Sequence, residues 1–138
     1  MDRQEIKTIL PHREPMLLLD RLDLKDGVAC GAYLFRGDEW FFQGHFPDNP
    51  IAPGVILCEI LAQSASVLIR QFATCTTVPY LVGVDRSRFH RSVRPGDLFE
   101  TECRLYKEKP PFFFFKGLGT VRNKVCVKTS FSVILADQ

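Results

Sequence analysis

The chain has 138 residues, 46% of them hydrophobic and 25% charged, with a formal net charge of +2. These figures describe one globular domain, residues 1–138, able to bury a real core. A charge this mild excludes the strongly basic surface that binds nucleic acid through bulk electrostatics.

The opening segment, Asp2 to Leu10, is predicted as a short helix; Asp2, Arg3, Glu5 and Lys7 interrupt any apolar stretch of the kind a secretory signal needs. Leu10-Pro11-His12-Arg13-Glu14-Pro15 breaks it, and the apolar run Met16 to Leu19 is predicted to be extended. Val28 to Phe35 is a strand candidate that ends at a Gly37-Asp38 turn. Phe41 to Pro50 contains Gly44, Pro47 and Pro50, so it is neither regular helix nor central strand. An ordered loop pinned by its aromatics is expected there. Pro53-Gly54 then opens a helix that runs to about Phe72. Its residues are apolar nearly all round, as in a helix wrapped by other structure. Glu59, Gln63, Ser64 and Ser66 interrupt its apolar stretch, which is too short to span a bilayer.

Beyond the helix the pattern alternates as in a sheet. Tyr80 to Val84 is one strand. Leu98 to Tyr106 is another, with Phe99, Thr101, Cys103 and Leu105 on one face. Phe112 to Val121 and Val125 to Leu135 are predicted to form a hairpin around Arg122-Asn123-Lys124. The expected class is α+β, a sheet of about five or six strands around one long helix. Such a sheet leaves edge strands open and favours self-association. The five cysteines, Cys30, Cys58, Cys75, Cys103 and Cys126, are odd in number and form no C-x-x-C pair. Reduced, mostly buried thiols and a cytoplasmic location are expected.

Two readings are open for Glu59. With Gln63, Ser66 and Arg70 at helical spacing it forms either the solvent stripe of a buried helix or the start of a site. In the second reading burial raises its pKa and lets it act as a general acid. His45, between Gly44 and Phe46-Pro47, is either a structural histidine or a neutral general base. Gly54 opens a helix whose first amides lack internal partners, so its N–H is either a plain junction or a donor to a thioester carbonyl. His12 and His90 are weaker candidates. No H-x-x-x-H or H-E-x-x-H spacing supports a metal site, and no G-x-S-x-G, G-x-G-x-x-G or P-loop pattern occurs. Arg86, Arg88, His90, Arg91 and Arg94 form a basic cluster, either a solvated loop or a dock for an acidic partner.

In this order the motifs are familiar. Leu10-Pro11-His12-Arg13-Glu14-Pro15-Met16-Leu17-Leu18-Leu19-Asp20-Arg21 resembles the opening motif of the FabZ-type 3-hydroxyacyl-[acyl-carrier-protein] dehydratases. Gly44-His45-Phe46-Pro47, Pro53-Gly54-Val55 and Glu59 with Ala62-Gln63 resemble that family's catalytic segment, in residue type and spacing. Gly83-Val84-Asp85 with Arg88-Phe89, and Val93-Arg94-Pro95-Gly96-Asp97, resemble its next blocks.

The resemblance implies a hotdog fold, a curved antiparallel sheet around one long helix. It implies dehydration of a 3-hydroxyacyl thioester in fatty acid elongation, without a cofactor. His45 and Glu59 would be catalytic, Gly54 the carbonyl-binding amide, and Gln63 a residue that orients Glu59. The partners implied are an acidic acyl carrier protein, with Arg86, Arg88, Arg91 and Arg94 as its candidate dock, and a second copy of the chain that shares each active site. Pro110-Pro111 and the run Phe112 to Phe115 fall outside the family pattern, and read either as a buried strand after a turn or as a reshaped acyl tunnel. Rival readings are a thioesterase of the same fold, a non-catalytic acyl-binding module, and the same dehydration in a polyketide or other specialised lipid pathway.

Overall fold

The computed structural model describes residues 1–137. The first helix, α1, is short, Arg3–Ile6. Asp2 caps it by accepting from the Glu5 amide, and the Glu5 side chain accepts from the Asp2 amide in return. The helix predicted to reach Leu10 stops early and continues as turns.

A hairpin follows that the sequence reading missed in part. Strand β1 is Arg21–Lys25 and β2 is Val28–Leu34. Asp26 and Gly27, both with positive φ, make the two-residue turn. Asp-Gly between alternating residues is a strong hairpin signal, and it was present to be read. Met16 to Leu19, expected as extended, is not a strand. Leu17, Leu18 and Leu19 are nonetheless buried. The Leu18 amide donates to the Gln63 side chain at 3.0 Å, so a side chain supplies the partner that a neighbouring strand would give.

The central helix α2 is Gly54–Ala65, and it continues as a 3-10 helix over Ser66–Phe72. By length and composition alone Gly54–Phe72 is apolar enough to cross a membrane. Here it lies against the sheet, with Ile60, Leu61 and Ala65 fully buried. The remaining strands are β3, Thr77–Phe89; β4, Leu98–Lys109; β5, Phe112–Val121; and β6, Lys124–Asp137. All pairings are antiparallel, in the order β1-β2-β4-β5-β6-β3. A six-stranded sheet around one long helix is the hotdog arrangement, and it belongs to the α+β class.

Alternation decides which side chains meet the helix. Phe99, Thr101 and Cys103 on β4 and Val127, Thr129, Phe131 and Val133 on β6 are buried. In the phenylalanine run Phe113 and Phe115 point into the core, where Phe115 stacks on Phe131. Phe112 and Phe114 face the other way, and Lys107 lies over the Phe114 ring. The run is therefore a core strand, and each inward ring stabilises the fold by about 1.5–3 kcal/mol through burial. Two polar contacts tie helix to sheet among the described residues: the Ser64 and Thr101 hydroxyls are 2.7 Å apart, where Thr101 also accepts from the Gly31 amide, and the Cys103 thiol donates to the Leu61 carbonyl at 3.3 Å.

Strand β3 extends well beyond the predicted Tyr80 to Val84. It pairs only with β6, so its other edge is open. Tyr80, Leu81, Val82, Val84 and Phe89 are exposed along it. Arg86 and Arg88 lie on this strand, not in the loop that the basic cluster suggested.

Candidate active site

His45 sits in the loop after a short 3-10 turn, Trp40–Gln43, whose Phe41 and Phe42 are anchored in the core. Two hydrogen bonds join the ends of the loop. The Ile51 amide donates to the His45 carbonyl at 2.9 Å, and His45 Nδ1 lies 2.7 Å from the Ile51 carbonyl. A carbonyl only accepts, so Nδ1 carries the hydrogen, and in the neutral ring Nε2 holds the free lone pair. The ring is half-buried and stacks on Phe46 with centroids 4.1 Å apart.

A cavity of about 480 Å³ lies beside it, lined by His45, Gly54, Val55, Phe89 and Arg91 among others. Gly54 is the first residue of α2, where the amides have no partner in the preceding turn. A Cβ at Gly54 would come within 2.7 Å of the Phe89 ring, so only glycine fits beneath it. A nitrogen base and a helix N-terminal amide thus face one space, the pair that proton abstraction next to a carbonyl needs.

Glu59 lies elsewhere, in a small cavity with His12, Gln63, Pro79, Leu81 and Val133. Gln63 Nε2 donates to Glu59 Oε1 at 2.9 Å and to the Met16 carbonyl at 2.8 Å. His12 Nε2 is 3.3 Å from the same Glu59 oxygen. Gln63 is only 1% exposed and Ser66 is buried, so the helix face bearing Glu59 is not a solvent stripe. Of the four residues at that spacing, only Arg70 is exposed.

The raised pKa expected for Glu59 is corrected by its partners. Burial is the largest single influence and pushes it up. The hydrogen bonds from His12 and Gln63, with the charge of His12, together outweigh burial and hold it below the ordinary carboxylate value. Glu59 is therefore an ionised, positioned carboxylate. His12, ranked low in the sequence, is the residue that reasoning from motifs undervalued. Its Nδ1 is buried without a hydrogen-bond partner among the described residues. The signal available was its place inside the Leu10-Pro11-His12-Arg13 motif.

The basic cluster divides. Arg86 lies on the outer face of the sheet near Arg104, Lys116 and Lys128. Arg88 is exposed on β3, and Arg91 lines the His45 cavity. Arg94 donates to Asn49 at 2.6 Å, which braces the His45 loop.

Comparison with known proteins identifies the family. A family model described as ApeI dehydratase matches residues 8–129. The chain is 38% identical over 134 residues to a 3-hydroxyacyl-[acyl-carrier-protein] dehydratase FabZ of Petrotoga mobilis, covering 96% of each chain. It is 36% identical to a protein of the same name from a Geobacillus species, covering 100% of this chain and 97% of that one. Among solved structures, the dehydratase heterocomplex ApeI:P from Xenorhabdus doucetiae has the same fold, with a TM-score of 0.80 at 18% identity, covering 96% of this chain and 91% of that one. The chain belongs to the family of FabZ-type and ApeI-like dehydratases.

Proposed function

We propose that the chain removes water from a (3R)-3-hydroxyacyl thioester borne on acyl carrier protein and releases the trans-2-enoyl thioester, as a step of fatty acid elongation. The observation that carries this reading is that His45, whose Nδ1 is engaged by the Ile51 carbonyl, and Gly54, the first residue of α2, line one cavity. The Gly54 N–H binds the thioester carbonyl and stabilises the enolate charge that develops. Neutral His45 takes the proton from C2. The imidazolium so formed returns it to the departing C3 hydroxyl, and water leaves. Glu59, ionised and held by Gln63 and His12, accepts from the C3 hydroxyl and orients it. Proton and charge balance without an outside donor. The elimination changes no oxidation state, so no cofactor enters.

His45 and Glu59 line different cavities of one chain. Both open toward β3, whose free edge carries exposed apolar side chains. We infer that two copies pair along β3, which sets His45 of one copy opposite Glu59 of the other. Removal of that apolar surface from water favours the pairing. The carrier docks at Arg86, Arg88, Arg91 and Arg94, with Arg91 nearest the site, in a cytoplasmic enzyme with reduced thiols.

A paired turnover assay tests this. The parent and His45→Ala each receive a 3-hydroxyacyl thioester on acyl carrier protein, and products are identified by mass. Loss of water by the parent alone is expected. Release of free carrier thiol would make the chain a thioesterase, and binding without turnover an acyl-binding module.

A further inference from the structure

A second cavity of about 470 Å³ continues from the Glu59 cavity. The two share Ser66 and Pro79 as walls. Three elements step along them in the same direction. On the helix the walls pass from Glu59 to Ser66 and Arg70; on β3 from Leu81 to Pro79 and Thr77; on β6 from Val133 to Leu135. The register agrees, since Leu81 faces Val133 and Pro79 faces Leu135. Alternate strand residues share a face, so the two cavities lie end to end along one line of walls, a candidate passage. Arg70 stands about three helical turns from Glu59, roughly 15–20 Å along the axis.

The character of the walls changes along the passage. Near Glu59 they are Pro79, Leu81 and Val133, and at the far end they include Arg70, Thr74 and Thr77. Among the described residues the Arg70 guanidinium has no ion-pair partner. Walls that carry Arg70, Thr74 and Thr77 are a poor end for a plain hydrocarbon tail, which would strip water from them. They suit a group that accepts their hydrogen bonds, and a guanidinium binds oxygen acceptors strongly and with direction.

We propose that this cavity receives the far end of the acyl chain, and that Arg70 selects chains ending in an oxygen acceptor, a carboxylate or hydroxyl, over chains ending in methyl. The inference rests on the dehydratase reading and names its substrate class. Chains too short to reach Arg70 meet only the apolar part of the passage and are not distinguished.

The test is a length series of 3-hydroxyacyl thioesters on acyl carrier protein, each with a methyl, hydroxyl or carboxylate end. For long chains the parent is expected to favour the oxygen-ended substrates by about tenfold in kcat/KM, the size of one charge-assisted hydrogen bond. Short chains show no preference, and Arg70→Leu loses the preference at every length. Equal or better turnover of long methyl-ended chains by the parent overturns the proposal, with the dehydratase reading intact. A preference that persists in Arg70→Leu overturns the role of Arg70. Cys75, an exposed thiol in the cavity wall, gives a readout that does not depend on turnover. A long carboxylate-ended substrate analogue is expected to slow iodoacetamide alkylation of Cys75, read by peptide mass, in the parent and not in Arg70→Leu. Unchanged alkylation in the parent overturns occupancy of the cavity, whatever the activity.

Discussion

His12 Nε2 and Glu59 Oε1 lie 3.3 Å apart, on opposite sides of the step from the N-terminal segment to the central helix. Together with Gln63 this contact reverses the effect of burial on Glu59 and fixes the carboxylate in place. The site thus has two supports, one on the helix itself and one from a loop distant in sequence.

Removing the second support should damage catalysis without unfolding the chain. His12→Ala is expected to lower kcat by about tenfold to a hundredfold, the scale of misplacing a reacting group by about an ångström. The Glu59 pKa rises when a hydrogen bond that lowers it is lost, which a carboxyl-resolved NMR titration of the variant reads. His12→Gln, which can still donate, should restore part of the rate. A drop in kcat with an unmoved Glu59 titration would show that His12 acts on something other than Glu59.

The depressed pKa of Glu59 also has a consequence for stability. A carboxylate whose folded-state pKa lies below its unfolded value stabilises the fold fully above the unfolded value, and that contribution is lost as pH falls through the folded one. Glu59→Gln does not titrate. The parent should therefore lose stability relative to this variant as pH falls below the ordinary glutamate range, and not above it. Denaturant midpoints across that range check the sign, and a constant difference would contradict it.

Gly54→Ala places a methyl within 2.7 Å of the Phe89 ring. Overpacking of this kind costs about 1–3 kcal/mol. Movement of the helix start should also lower kcat, since in the proposed mechanism the amide at that residue binds the carbonyl. Shortening the ring relieves the clash. The effect of Gly54→Ala on the melting temperature should be smaller in a Phe89→Ala background, which a double-mutant cycle measures.

The arginines near the site are expected to separate by kinetic parameter. Arg91→Glu should raise KM for carrier-borne substrate several-fold, more at low salt, and leave KM for a short thioester without carrier unchanged. Arg94→Ala removes the bond to Asn49 that braces the His45 loop as well as a docking charge, so kcat should fall with either substrate while KM rises for the carrier-borne one alone. If Arg91→Glu changes both substrates alike, the dock lies elsewhere.

The phenylalanine run gives a parity test. Phe115→Ala should cost about 3–5 kcal/mol, because a fully buried ring is replaced by a cavity. Phe114→Ala, on the outer face, should cost much less, because its neighbours Lys107 and Tyr106 remain solvated. Chemical denaturation of the two variants measures both.

Much of the fold was legible because its periods are local. The alternation over Leu98 to Tyr106 and Val125 to Leu135, the Arg122-Asn123 turn and the apolar helix after Pro53-Gly54 each depend on neighbours within a few residues. Strand β1 was missed because five residues give too short a period, although Asp26-Gly27 marked its end. The length of β3 was missed because Gly83 and two register shifts interrupt its pattern.

The site divides in the same way. Sequence alone determined which residue types stand at His45, Gly54 and Glu59, and that they sit on an aromatic loop, a helix start and a helix face. Only the tertiary structure decided the protonation of Glu59. Burial within the helix pushes its pKa up, while His12 and Gln63 push it down. That balance depends on contacts across long sequence separations, such as the 3.3 Å approach of His12, which no local pattern encodes. The same is true of Arg70, which is one more charge at the end of a helix until the fold places it in one cavity wall with Pro79 of β3 and Leu135 of β6.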